Sequence, residues 1–416
     1  MAATSDRQQR AAAMSAVDPD GVQRVSENLW LVRSQSTRGR YRVELGDEGW
    51  SCDCEDFAEW EEPCKHIYRV QLELTPEAPK SEALVSAIAP RRTYAQDWPA
   101  YDKGQAEEMH LLEAFLRELT SEVREIPQVP GHVGRPRFPL PDAVYCAILK
   151  VYSCRSGRRA RGFYQVVAER GLLSRVPSFM VASRVLNRAD VTPMLERLVS
   201  LSASPLAALE EGQAIAPDST GVQTTSFGAW REEKHGEKRV KGWLKVHAMV
   251  GTKTHVIIRA VVDDPDSGDA PRFGPLLRDS LEWGFRPGSV TADRGYLSKA
   301  NYRLAADLGV QAYIPFKSNS VARIRSKTSP SAWRKAFHLF QANREEFDRN
   351  YHRRSNVESA FSALKRKFGE NVRSKNRVAQ VNEILCKLIA YNLTVVIHEV
   401  FENGIAPSFA SSVSRS

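Results

Sequence analysis

The stretch that most narrows what this chain can fold into lies between Ala214 and Pro315, where strand-like and helix-like segments alternate. Ala214 to Pro217 is a short apolar segment that runs into Asp218-Ser219-Thr220-Gly221. The strand-like runs Lys241 to Val250 and His255 to Val262 follow, joined at Gly251 to Thr254 as a hairpin. Helical spacing then takes over from Pro271 to Trp283, a short strand from Ser289 to Ala292 ends at Asp293-Arg294-Gly295-Tyr296, and a helix (Lys299 to Leu308) and strand (Gln311 to Pro315) complete the series. Strands alternating with helices define an α/β chain.

Further on, Tyr351, Arg354, Glu358 and Lys365 are separated by three, four and seven residues. At about 100° per residue on an α-helix they share one stripe, beside a second stripe of Val357, Phe361, Leu364 and Phe368. A helix so patterned packs its apolar stripe on a core and holds one carboxylate, with two cations and a phenol, over a surface. Ser355 to Glu358 also fits a capping box, which starts the helix at Ser355 and leaves Tyr351 and Arg354 outside it. Taken alone, the pattern also fits an amphipathic helix with exposed charges.

A tyrosine, an arginine after two residues, a glutamate after three and a lysine after six form the signature of DDE transposases of the insertion-sequence 4 and 5 type, which this chain resembles from roughly Gln105 to Glu402. The element order also resembles the ribonuclease-H-like core of those transposases and of retroviral integrases. There the first aspartate sits on the first strand, the second at the end of the fourth and the glutamate on a later helix, positions that match Asp218, Asp293 and Glu358. The resemblance implies a ribonuclease-H-like mixed sheet flanked by helices over residues 206–402.

It also implies two Mg²⁺ (or Mn²⁺) ions per active site. Breaking a DNA phosphodiester needs an in-line oxygen nucleophile and a stabilised leaving oxygen, and two ions about 3.5–4 Å apart clamp both. Asp218 would bridge the ions while Asp293 and Glu358 each complete one. Arg354 and Lys365 would bind phosphates, Tyr351 would hydrogen-bond a phosphate or stack on a base, and Arg366 would extend the basic surface. The implied function is a DNA transposase that binds the terminal inverted repeats of its element, cleaves the ends and transfers the 3′ ends to target DNA, as a homodimer or larger assembly on double-stranded DNA. Two alternatives are a domesticated, catalytically silent DNA-binding protein and a ribonuclease-H-like nuclease. The three intact carboxylates argue against the first, and the Tyr351 to Lys365 stripe favours the transposase over the second.

Cys52, Cys54, Cys64 and His66 form a Cys-x-Cys followed after a short gap by Cys-x-His. Two close pairs of thiolate and imidazole ligands supply the closed tetrahedral set of a structural zinc site. The alternative is a reduced, buried cysteine cluster. Strand-like runs at Leu29 to Ser34 and Tyr41 to Leu45, with a helix over Ile67 to Leu74, resemble a SWIM-type zinc finger, implying one structural Zn²⁺ within residues 26–75. The loop between the pairs carries Glu55, Asp56, Glu59, Glu61 and Glu62 and is unsuited to lying on DNA phosphates.

Outside these motifs, residues 1–25 read as a disordered tail, 76–104 as a linker and 403–416 as a second tail. Residues 105–205 read as an α-helical DNA-binding region. In that region Arg155, Arg158, Arg159 and Arg161 cluster, and helical runs from Phe163 to Arg170 and from Ser178 to Asn187 suggest a helix-turn-helix with Arg184 among its readers. Basic and aromatic residues interleave from Phe316 to Asn350, as in a segment lying along DNA. Asp263, Asp264, Asp266 and Asp269 read as a solvated loop, and His235, His247 and His255 as strand or loop histidines.

The net charge of +9 and pI of about 9.2 suit a polyanionic partner, nucleic acid or an acidic membrane. No uninterrupted apolar run reaches the roughly 18 residues of a spanning helix, and the first residues lack the apolar core of a signal peptide. The expected location is therefore the cytoplasm, on the nucleoid, with no membrane partner.

Overall fold

The computed structural model describes residues 2–18, 20–34, 39–46, 49–60, 62–74, 97–126, 137–224, 242–320 and 331–410. They fall into two compact units, Met1–Gln96 and Asp97–Ser416.

In the first unit, strands β1 (Val22–Ser26), β2 (Leu29–Arg33), β3 (Arg40–Gly46) and β4 (Gly49–Cys52) pair antiparallel in sequence order. Alternation along them turns Trp30, Val32 and Val43 inward. Helix α1 (Ala2–Val17) precedes the sheet, and α2 (Glu55–Trp60) and α3 (Lys65–Leu74) follow it. The expected N-terminal tail is thus helical over most of its length. Ala11 and Met14 are buried, and Arg7 pairs with Asp56 at 3.0 Å and Glu62 at 2.7 Å. A run of alanines is a strong helix former, and its small side chains allow close packing.

The second unit opens with α4 (Trp98–Ser121), inside the expected linker. Asp97 caps it by accepting from the Ala100 N–H, and Pro99 suits the first turn. Helices α5 (Leu140–Tyr152), α6 (Gly157–Glu169), α7 (Val181–Leu186) and α8 (Thr192–Ala203) come next. The five-stranded sheet comprises β5 (Ala214–Gln223), β6 (Trp243–Gly251), β7 (Ile257–Asp263), β8 (Ser289–Thr291) and β9 (Gln311–Tyr313), in the order β7-β6-β5-β8-β9. Strand β5 is antiparallel to β6 and parallel to β8, which makes the sheet mixed. Helices α9 (Ala270–Glu282) and α10 (Lys299–Asp307) join the later strands, followed by α11 (Ser331–Ala342), α12 (Arg344–Tyr351), α13 (Ser355–Phe368) and α14 (Arg377–Glu402). This is the ribonuclease-H-like α/β arrangement.

Helix α14 is long and apolar enough to cross a membrane, yet most of it is taken up inside the fold. Its buried Asn392 accepts from the Ile257 N–H and donates to the Ile257 and Val199 carbonyls, tying α14 to β7 and α8.

Two expectations change here. Eleven residues separate α6 from α7, and α7 has six residues. This is not the tight turn and long second helix of a helix-turn-helix. The aromatic residues between Phe316 and Asn350 face inward. Phe316 is buried with ring centroids of Trp333, Phe337 and Phe340 at 4.8, 5.2 and 5.4 Å, and Phe347 is fully buried. Burying those faces removes them from stacking on bases. Arg323, Arg325 and Lys327 lie outside the described residues.

Candidate active site

Strand β5 runs six residues beyond Pro217, because β6 pairs with it through Gln223↔Trp243, so Asp218 sits mid-strand. β5 and β8 stay paired only at Ala214↔Ser289 and Ile215↔Val290. Asp218 and Asp293 both lie past that point. Asp293 follows β8 and accepts from the Gly295 N–H at 2.8 Å, which folds the next residues into a short 3₁₀ turn.

Glu358 stands in the first turn of α13, whose Val357, Ala360, Phe361, Leu364 and Phe368 are buried. Its position is pinned at both ends. The Asn356 amide donates to the Thr252 carbonyl at 2.7 Å in the β6–β7 turn. Gly369, with φ of +77°, ends the helix and leads the chain back to β5, where Val372 N–H donates to the Gln223 carbonyl and Gln223 N–H to the Glu370 carbonyl. The helix begins at Ser355, as the capping box indicates, although Ser355 Oγ bonds the His352 carbonyl instead. Tyr351 therefore ends α12 and Arg354 lies in the intervening 3₁₀ turn, so the four-residue stripe is shared by three elements.

Arg354 bridges two of the carboxylates, with Nη1 3.1 Å from Asp218 Oδ2 and Nη2 2.6 Å from Glu358 Oε1. Burial pushes the Asp218 carboxyl above its ordinary value; the Ser219 N–H and Arg354 oppose this, and the charges of Asp293 and Glu358 add to it. Burial lowers the Arg354 pKa, but Asp218, Tyr351 and Glu358 together hold it above the usual value. Asp218, Ser219, Thr220, Glu358, Lys365 and Arg366 line one open groove of about 480 Å³. Oxygen donors in an open, polar groove suit a hard divalent cation. The three carboxylates are not closed around one point: among the described residues, only Cys52, Cys54, Cys64 and His66 bring three or more ligand atoms within 4.8 Å of one another.

Of the other expected DNA contacts, Tyr351 is half-buried against Phe347, and Arg158 lies over the Phe179 ring at 5.3 Å. Arg159 is exposed on the first turn of α6. Exposed Arg184 lines a separate groove with Arg137, Arg175 and Arg188, away from the carboxylates.

The acidic segment after β7 is not simply solvated. Asp263 and Asp269 are largely covered and engage buried His247, Lys245 and Arg272, while Asp264 is exposed and pairs with Arg377. Spacing gives no sign of this, because the partners come from other elements: Lys245 and His247 from β6, Arg272 from α9 and Arg377 from α14.

In the first unit, all four zinc-type residues are buried together, and His66 Nδ1 is 3.8 Å from both Cys52 Sγ and Cys64 Sγ. Bond lengths of about 2.3 Å to sulfur and 2.0 Å to nitrogen give a tetrahedral S···N edge of roughly 3.5 Å, so a zinc ion fits with Nδ1 as ligand. The Cys64 thiol is drawn well below its ordinary value, chiefly by its hydrogen bond with Cys52. The cluster thus favours a thiolate.

The ribonuclease-H-like sheet carries acidic groups at the parting of β5 and β8. Residues 210–393 match the transposase DDE domain and residues 41–73 the SWIM zinc finger, so the chain carries a transposase DDE domain behind a SWIM zinc finger. A solved structure, the cryo-EM synaptic complex of piggyBac transposase with hairpin DNA, is loosely similar: 11% identity, a TM-score of 0.35, and coverage of 72% of this chain and 74% of that one.

Proposed function

We propose that this protein is a DNA transposase of the insertion-sequence 4/5 type that recognises the terminal inverted repeats of its own element, hydrolyses the DNA ends and joins the freed 3′ hydroxyls to target DNA. The observation that carries the proposal is the Arg354 bridge between Asp218 and Glu358 in an open, partly basic groove within a transposase DDE domain. Asp218, Asp293 and Glu358 would hold the divalent ions, Mg²⁺ or Mn²⁺, which would supply charge neutralisation and activate the attacking oxygen. In the hydrolytic step water adds to phosphorus and the P–O3′ bond breaks, leaving a 3′ hydroxyl. In the joining step that hydroxyl attacks a target phosphate, forming a new P–O3′ bond while the target strand's own P–O3′ bond breaks and leaves a target 3′ hydroxyl.

The protein's own groups position the DNA. Lys365 and Arg366 meet backbone phosphates along the groove, and Arg354 can turn from the carboxylates to the scissile phosphate as a fork of two donors. Tyr351 supports that arginine from the end of α12. The basic faces of the helical region, including Arg158, Arg159 and Arg184, hold flanking duplex. Pairing of two ends requires at least a dimer on DNA, acting on the nucleoid in the cytoplasm.

The test is cleavage of a labelled duplex carrying the repeats that flank the gene, with Mn²⁺ and the wild-type, Asp218→Asn, Asp293→Asn and Glu358→Gln proteins. Nicks at the repeat boundary in wild type alone, with binding kept in all four, support the reading. Equal nicking by the variants would reject the assignment of these carboxylates.

A further inference from the structure

Asp269 immediately precedes α9, and its two carboxylate oxygens face different groups. Oδ1 lies 2.9 Å from Lys245 Nζ and 3.3 Å from Nδ1 of the fully buried His247, whose Nε2 is in turn 2.9 Å from Ser267 Oγ. Oδ2 faces the Asp293 loop. A Cβ placed on Gly295 would stand 3.3 Å from Asp269 Oδ2 and 2.9 Å from Asp293 Oδ1, so the two carboxylates flank one spot that glycine leaves clear.

Tyr296 is next in the chain. It is fully buried and its hydroxyl has no hydrogen-bond partner among the described residues. Burial raises its pKa, and the charges of Asp269, Asp218 and Asp293 raise it further. Asn301 fixes this corner by donating to the Tyr296 carbonyl at 2.8 Å and to the Ala270 carbonyl at 3.2 Å, which joins the turn after Asp293 to the first residue of α9.

A residue serving only as the counter-ion of Lys245 has no electrostatic reason to stand beside a second carboxylate, since like charges repel. A carboxylate held through one oxygen, with the other turned to an acidic site, is oriented as a metal ligand is. A divalent cation would offset the repulsion, and reorientation around it would give the Tyr296 hydroxyl an acceptor.

We infer that Asp269 is a fourth carboxylate of the divalent-ion site, oriented by Lys245 and His247 and accompanied by the Tyr296 hydroxyl. The inference rests on the reading that Asp218, Asp293 and Glu358 bind divalent ions. Its effect should be on ion affinity, so it can be read without DNA or turnover.

The experiment is calorimetric titration of Mn²⁺ into the zinc-loaded, full-length protein. Asp269→Asn is expected to weaken binding at least about tenfold, alongside clear losses in Asp218→Asn and Asp293→Asn. Asp264→Asn, which alters an exposed ion pair with Arg377, should bind as wild type does. Asp269→Glu keeps the charge near Lys245 but displaces the second oxygen. It should melt like wild type without Mn²⁺ and still bind Mn²⁺ more weakly, which covers the case in which Asp269→Asn fails to fold. Wild-type affinity in a folded Asp269→Asn or in Asp269→Glu, with losses at Asp218 and Asp293, overturns the fourth carboxylate and leaves the triad standing. Wild-type affinity in all the aspartate variants overturns both.

Discussion

Arg354 and Glu358 are joined at 2.6 Å while the same guanidinium reaches Asp218 at 3.1 Å, so one cation separates two carboxylates that come from different elements. The pairing balances charge in the metal-free protein. Asp218 and Arg354 side chains are 16% and 21% exposed, whereas Glu358 is 62% exposed, so the Asp218 half is the stronger part. Arg354→Gln should cost about 1–2 kcal/mol of stability without divalent ions. Millimolar Mn²⁺ should narrow that deficit by taking over as counter-charge. Thermal melts of the two proteins with and without Mn²⁺ measure it, and a deficit that Mn²⁺ leaves unchanged would speak against ion binding between these groups.

The zinc cluster makes a separate prediction because it lies in its own compact unit. Cys64→Ser removes a ligand from a buried set whose assembly orders β4, α2 and α3 together. Bound zinc should fall from one per chain to near zero by atomic absorption. Limited proteolysis should then cut within residues 20–74 while the unit from Asp97 onward resists. Full zinc content in Cys64→Ser would rule out this ligand set.

Phe316 distinguishes core packing from base stacking in the basic and aromatic segment. Its ring is 3% exposed and contacts Trp333, Phe337, Phe340 and Tyr302, so Phe316→Ala should destabilise by about 3–5 kcal/mol in urea unfolding. A loss of DNA affinity with unchanged stability would instead favour the base-stacking role.

Much of the candidate site is legible in the sequence because its signals are local. Val357, Phe361, Leu364 and Phe368 do form the buried stripe that sets Glu358 outward, and the two aspartates do follow strand residues. Cys52, Cys54, Cys64 and His66 do converge. What escaped depends on partners distant in sequence. The polar Ser219 and Thr220 hide the continuation of β5, which the β6 pairing supplies. Interleaved aromatic and basic residues look alike whether a helix buries its rings or offers them to bases, and only the packing around Phe316 decides. Asp269 looked solvated because Lys245 and His247 are contributed by another strand.

The measurement that bears most directly on the central claim is excision from a donor plasmid carrying the repeats that flank the gene, comparing wild type with Glu358→Gln at matched expression. Excision by wild type and none by Glu358→Gln, with both proteins binding the repeat ends, is the predicted result. Equal excision by the two would contradict the assignment of Glu358, and binding without excision by either would contradict the transposase reading of this chain.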